Sequence, residues 1–168
     1  AVEVVKSFSK EFDLQIIFQT GKKNYDRVLE QLIRDYPQYE SDKNIIVKPY
    51  FEDMVTVLKA SDIAISRSGS LSISEICASG IAPIFVPYPH AAADHQRKNA
   101  KYIVEKNAGL YIEDKDASEK SFYETIASLM HDKSRLKELQ RNSLALAKFD
   151  GTEKIVEQLK EIANEKNL

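Results

Sequence analysis

The 168-residue sequence has no tryptophan, one cysteine, three histidines, five glycines and five prolines. Each scarcity removes a class of protein. The single Cys77 cannot pair within the chain, so a disulfide scaffold is excluded and a reducing cytoplasm suits the composition. Cys77 lies in the apolar run Ile76-Cys77-Ala78 and reads as a buried, inert thiol. His90 and His95 stand five apart without a second acid or cysteine at ligand spacing, so no metal set is expected. No apolar run approaches the roughly 18 residues of a membrane span, and no signal peptide is visible. The charge has no excess of either sign: 24 basic against 26 acidic residues, net -2, which gives no electrostatic footprint for nucleic acid. Repeats, low-complexity stretches and long linkers are missing as well.

What is present is the composition of one soluble globular domain, 43% hydrophobic and 30% charged. Short β-branched runs alternate with helical patterns. Leu14 to Phe18, Ile45 to Val47, Ile63 to Ile65 and Ile84 to Val86 read as strands, with Ala108 to Ile112 a weaker fifth. Helical periodicity covers Val2 to Phe12, Asn24 to Tyr36, Asp53 to Ala60, Leu71 to Ala78 and Gln96 to Lys106. Asp53 has the character of an N-cap, and Gly80 and Gly109 read as helix stops. From Ser118 onward the chain is polar and helical, over Ser121–Met130, Ser134–Lys148 and Thr152–Lys166, and these helices are expected to pack beside the sheet. Strands buried on both faces and joined by crossover helices define an α/β fold, a doubly wound parallel sheet of Rossmann-like type. Such sheets bind ligands outside the carboxyl ends of their strands, which here open at Gln19, Lys48, Ser66 and Pro87.

Four segments at that edge carry chemistry. Arg67-Ser68-Gly69-Ser70 joins a strand to a helix, and the amides of Ser70, Leu71 and Ser72 would form a helix N-terminus suited to a phosphate. The same tetrapeptide also suits a plain serine cap with a turn glycine, and it is neither a Walker A loop nor a G-x-G-x-x-G fingerprint. Glu75 follows on an otherwise apolar helix, where it could accept hydrogen bonds from ribose hydroxyls or simply face solvent. Asp94, His95, Gln96 and Asn99 crowd one helix start and offer donors and acceptors for sugar hydroxyls, or an ordinary capping cluster. His95 has no evident orienting partner for a role as base. Pro49 to Met54 places aromatics after a strand, where they could hold a flat base or merely pack. All four fall at one edge of one sheet, which favours a nucleotide-sugar site.

The order YFEDM, ASDIAISRSGSLSISEICASGIAPIFVPYP and DHQRKNA resembles the donor-binding half of the MurG-type N-acetylglucosaminyltransferases, over roughly Val2 to Gly151. That resemblance implies the GT-B architecture of two Rossmann-like domains, of which residues 1–168 are the C-terminal, donor-binding one. It implies UDP-N-acetylglucosamine as ligand, with backbone near Phe51 reading the uracil and Met54 beside it. Ser70, Leu71 and Ser72 would supply N–H groups to the diphosphate, with Arg67 close to that turn and Glu75 on the ribose. His95 and Gln96 take the place of the family's paired glutamines at the sugar hydroxyls, and Asn99 follows them. The implied reaction is inverting transfer from lipid I to lipid II in peptidoglycan synthesis, without metal or cofactor. The family's acceptor domain, its membrane-binding surface, its lipid-linked acceptor and its general base lie outside this chain, so no catalytic residue is expected within it. The family acts at the cytoplasmic membrane face. The family's Gly-Gly-Ser loop and first strand are also expected to be missing, the chain starting inside the helix that follows them. Two other enzyme readings share the same residues: a different GT-B transferase, or a UDP-sugar epimerase or hydrolase. A third is a non-catalytic donor-binding subunit of a split transferase.

Overall fold

The computed structural model describes residues 14–148 and 150–165. The expected helix over Val2 to Phe12 lies outside them. Five short strands alternate with helices: β1 (Ile16–Gln19), β2 (Ile45–Lys48), β3 (Ile63–Ser66), β4 (Ala82–Phe85) and β5 (Leu110–Tyr111). The helices are α1 (Tyr25–Asp35), α2 (Met54–Lys59), α3 (Ser70–Ser79), α4 (His95–Glu105), α5 (Glu119–His131), α6 (Lys133–Ala145) and α7 (Gly151–Glu165).

All ladders are parallel, as the β-branched runs require. β1 pairs with β2 from Ile16↔Ile45 to Gln19↔Lys48. β4 pairs with β3 on one side and β5 on the other. The strands thus form two pieces, β1-β2 and β3-β4-β5. Among the described residues, β1 and β3 each have one ladder partner and one unpaired edge. Those edges border one cavity of about 460 Å3, with Ile17, Phe18, Ile63 and Ala64 among its lining.

Sheet alternation builds the core. Successive side chains of a strand point to opposite faces. Ala82 and Ile84 of β4 join Ile126, Leu129, Leu136 and Leu139 from α5 and α6. Phe85 instead joins Ile76, Cys77, Ala100 and Ile103 from α3 and α4. β4 is therefore covered on both faces, and its residues read buried throughout. A third cluster sets Leu32 of α1 and Tyr36 just after it against Ile45 and Val47 of β2.

Caps fix the helix boundaries. The Asp53 carboxylate accepts the Thr56 N–H at 3.0 Å and the Thr56 hydroxyl at 2.6 Å. The bonds from the Thr56 hydroxyl and N–H hold the Asp53 carboxyl below its usual range. Ser118 and Ser121 form a capping box at α5. Gly80 takes a left-handed φ of 66° and stops α3, as its position suggests.

Three expectations need correction. Gly109 is not the stop of α4: the left-handed residue there is Asn107, at φ 53°. Gly109 is needed for space instead, since a Cβ would stand 2.6 Å from Pro83 Cγ and 3.0 Å from the Pro83 carbonyl oxygen. The fourth strand begins at Ala82, two residues before Ile84, and runs through Pro83; proline is unusual inside a sheet. Finally, α5 and α6 pack beside the sheet, but among the described residues α7 buries no large apolar side chain against it. Its Ile155, Val156, Leu159 and Ile162 are all exposed.

Candidate functional site

The carboxyl edge of the strands gathers the loops that the alternation places there. β3 ends at Ser66, and the chain turns through Arg67-Ser68-Gly69 into α3. Gly69 is the N-cap, with φ -67° and ψ 148°, and no side chain caps the helix. The N–H groups of the first turn are thus left for another acceptor. Any residue could adopt the Gly69 backbone, and a Cβ there would meet nothing within 4 Å. Neither conformation nor packing of the chain itself calls for glycine.

Ser68 is fully buried, and its hydroxyl donates to the Gln96 carbonyl at 2.8 Å. The Asn99 Nδ2 donates to the Ser68 carbonyl at 3.1 Å. Gln96 Oε1 in turn accepts the Tyr88 N–H at 3.0 Å. These three bonds tie the start of α4 to the turn before α3 and to the exit of β4. Gln96 Nε2 and Asn99 Oδ1 have no hydrogen-bond partner among the described residues. His95 stands beside them with Nδ1 2.7 Å from the Ala92 carbonyl; that oxygen only accepts, so Nδ1 carries a hydrogen. Ala93 and Asp94 both take left-handed backbone just before it, at φ 49° and 55°.

Arg67 reaches from the turn before α3 to the loops after β4 and β5. Its Nη1 donates to the Val86 and Pro87 carbonyls at 3.1 and 3.2 Å and pairs with the Asp114 carboxylate. Its guanidinium also lies 5.7 Å from the Tyr88 ring centre. One side chain therefore joins the loops after β3, β4 and β5. Arg97 makes a second link, from Nη1 to Asp94 and from Nε to Glu113.

Phe51, Met54, Ser72 and Glu75 all line the mouth of the cavity between β1 and β3. Glu75 is exposed there, and among the described residues its carboxylate has no partner, while its carbonyl accepts the Ser79 hydroxyl. Ser70 and Leu71 belong to the same helix turn. Gln96 and Asn99 border the site through Ser68, with His95 next to them in sequence, and none of the three lines the cavity. Among the described residues no group of three or more His, Cys, Asp or Glu could hold a metal.

Two contributors escaped the sequence reading. Gln19 closes β1 and accepts the Phe51 N–H at 2.8 Å. Asp114 holds Arg67 from 47 residues away. The position of Gln19 at a strand's carboxyl end was a usable signal; nothing local marked Asp114.

Parallel strands joined by crossover helices, with β4 covered on both faces and an uncapped helix N-terminus and an exposed acid at the carboxyl edge, define a Rossmann-like domain. Residues 1–159 match the glycosyltransferase family 28 C-terminal domain, and the chain belongs to that family. It is 37% identical over 148 residues to the UDP-N-acetylglucosamine--N-acetylmuramyl-(pentapeptide) pyrophosphoryl-undecaprenol N-acetylglucosamine transferase of Trichlorobacter lovleyi, covering 88% of this chain and 37% of that protein. It is 34% identical over 165 residues to the enzyme of the same name from Oenococcus oeni, covering 98% and 43%. The crystal structure of MurG from Acinetobacter baumannii superposes with a TM-score of 0.77 at 24% identity, over 95% of this chain and 44% of that one. The chain thus spans less than half the length of these relatives. Among the described residues, no helix is long and apolar enough to cross a membrane.

Proposed function

We propose that residues 1–168 are the single donor-binding domain of a longer inverting N-acetylglucosaminyltransferase that converts lipid I to lipid II. The observation that carries this reading is the α3 N-terminus, uncapped and preceded by a glycine open to space, beside a cavity mouth shared by Glu75, Ser72, Met54 and Phe51. The relatives' printed activity supports the substrate class: each transfers N-acetylglucosamine from its UDP donor.

In this reading the Ser70, Leu71 and Ser72 amides hold the diphosphate, favoured by the positive end of the helix. Glu75 accepts hydrogen bonds from the ribose hydroxyls, and the segment at Phe51 and Met54 holds the uracil. Gln96, Asn99 and His95 offer their free atoms to the sugar hydroxyls. Arg67 keeps the site in shape through the loops it joins. The acceptor hydroxyl attacks the anomeric carbon; a new C–O bond forms as the bond to the diphosphate oxygen breaks, with inversion. UDP leaves carrying the electron pair, and the helix terminus stabilises the charge that grows on it. The hydroxyl proton passes to a base outside this chain. No metal or cofactor is assigned a part.

The relatives are more than twice as long as this chain, which supports the view that it works with further polypeptide. The acceptor site, lipid-linked acceptor and attachment to the inner membrane face belong to that remainder. The complete protein should transfer labelled N-acetylglucosamine to a lipid I analogue, and the 168-residue chain should not. Turnover by the isolated chain, or UDP-N-acetylglucosamine refused by the complete protein, contradicts the proposal.

A further inference from the structure

We infer that Glu113 and Asp114, on the loop after β5, are positioning residues that align the two ends of the donor separately: Glu113 its sugar and Asp114 its diphosphate. The inference rests on the donor site proposed above. The two acids are neighbours in sequence, yet each holds an arginine from a different element of that site. Asp114 pairs with Arg67, which opens the turn leading to the α3 amides. Glu113 accepts from Arg97 Nε on α4 at 3.2 Å, and Arg97 Nη1 donates to Asp94 at 3.1 Å. The base of both links is fixed. One residue before Glu113, the Ile112 N–H donates to the Phe85 carbonyl at 2.9 Å, so the loop leaves the sheet still bonded to β4. Beyond it, the Asp116 N–H closes a turn on the Glu113 carbonyl, also at 2.9 Å. Glu113 is extended, at φ -62° and ψ 142°, and successive side chains of extended backbone diverge.

What Arg97 holds is strained. Ala93 and Asp94 are both left-handed, at φ 49° and 55°. That conformation is unfavourable for any residue with a Cβ, and alanine has no polar side chain to offset it. The grip of Arg97 on Asp94 secures this pair, and His95 follows directly. Once released, the turn relaxes and carries His95 off its place, whereas binding groups work only within about 0.5 Å of the productive geometry. The diphosphate turn keeps its own ties in that case, because Ser68 still bonds Gln96 and Asn99. Loss of Asp114 acts on the other end. It loosens Arg67 and the turn after β3 but leaves the links of Arg97 whole.

The test is kinetic: kcat/KM for UDP-N-acetylglucosamine and the inhibition constants of UDP and uridine, measured on the complete protein with a lipid I analogue as acceptor. Glu113→Ala should lower kcat/KM by about fivefold, the scale of one partly exposed ion pair, and leave UDP inhibition unchanged. Asp114→Ala should lower kcat/KM and weaken UDP together by about the same factor, and leave uridine unchanged. Arg97→Ala should reproduce Glu113→Ala, and the two combined should lose no more than either alone, as residues acting through one link do. Glu113→Gln and Asp114→Asn keep an acceptor for each arginine and should show the same split at smaller amplitude. They read it even if an alanine variant fails to fold. Equal loss for all three ligands in both variants would mean that the loop only supports the fold. No loss in either would mean that the arginines need no anchor. Either result, or a Glu113→Ala protein that weakens UDP as much as it lowers kcat/KM, overturns the inference while leaving the donor site standing. Failure of the native protein to use UDP-N-acetylglucosamine would instead remove the reading on which it rests.

Discussion

Asn99 donates its side-chain N–H to the carbonyl of Ser68, 31 residues earlier, at 3.1 Å. Through that bond α4 holds the turn from which the α3 amides project. Asn99→Asp retains the shape but presents no donor to the carbonyl. It should cost about 1 kcal/mol of stability, the typical worth of one such bond, and should weaken UDP binding by more than the shift in melting temperature accounts for. Equal UDP affinity in the variant and the native protein would remove Asn99 from the site.

The Glu75 carboxylate has no partner among the described residues, so removing it breaks no hydrogen bond of the fold. Glu75→Ala in the complete protein should leave the melting temperature unchanged and weaken donor binding by about 1.5–3 kcal/mol, the range for hydrogen bonds to a charged group. Acceptor affinity should stay level. Equal losses for donor and acceptor would contradict the ribose assignment.

The glycines at 69 and 109 should fail in opposite ways. Gly109→Ala drives a methyl into Pro83 and should destabilise by about 1–3 kcal/mol, as overpacking does. Gly69→Ala meets only open space and should melt like the native chain, yet lose affinity for UDP as the added methyl crowds the diphosphate. Denaturation curves and titrations on the same samples separate the two.

Cys77 is 2% exposed, and burial pushes its thiol above the ordinary range, against a smaller opposing effect from the Ser143 hydroxyl. It should resist thiol reagents in the native state at pH 8 and react once the protein is unfolded by denaturant. Because the thiol pKa is raised in the fold, ionisation favours the unfolded chain. The stability contributed by the neutral thiol is whole below the unfolded pKa and declines as pH rises above it. Rapid labelling of native protein would contradict the packing of α3 against β4.

The strands and helices were legible where periodicity and caps agree. Asp53, Gly80 and the alternation around Ile63 to Ile65 placed their elements within a residue or two. Pro83 masked the start of β4 because a proline reads as a breaker, and only the sheet around it explains its place. Gly109 looked like a helix stop because sequence cannot separate a glycine needed for φ from one needed for space. The turn at Arg67 to Ser70 and the acid at Glu75 were visible as residue types at a strand end. The clamp from Arg67 to Asp114 and the tie from Gln19 to Phe51 were not. They join residues 47 and 32 positions apart, which local pattern does not connect.

The most direct test is a crystal structure of the complete protein with UDP-N-acetylglucosamine. The account predicts the diphosphate on the amides of Ser70, Leu71 and Ser72, the ribose hydroxyls on Glu75 and the uracil at Phe51. A nucleotide bound elsewhere, or a diphosphate held without those amides, would contradict it.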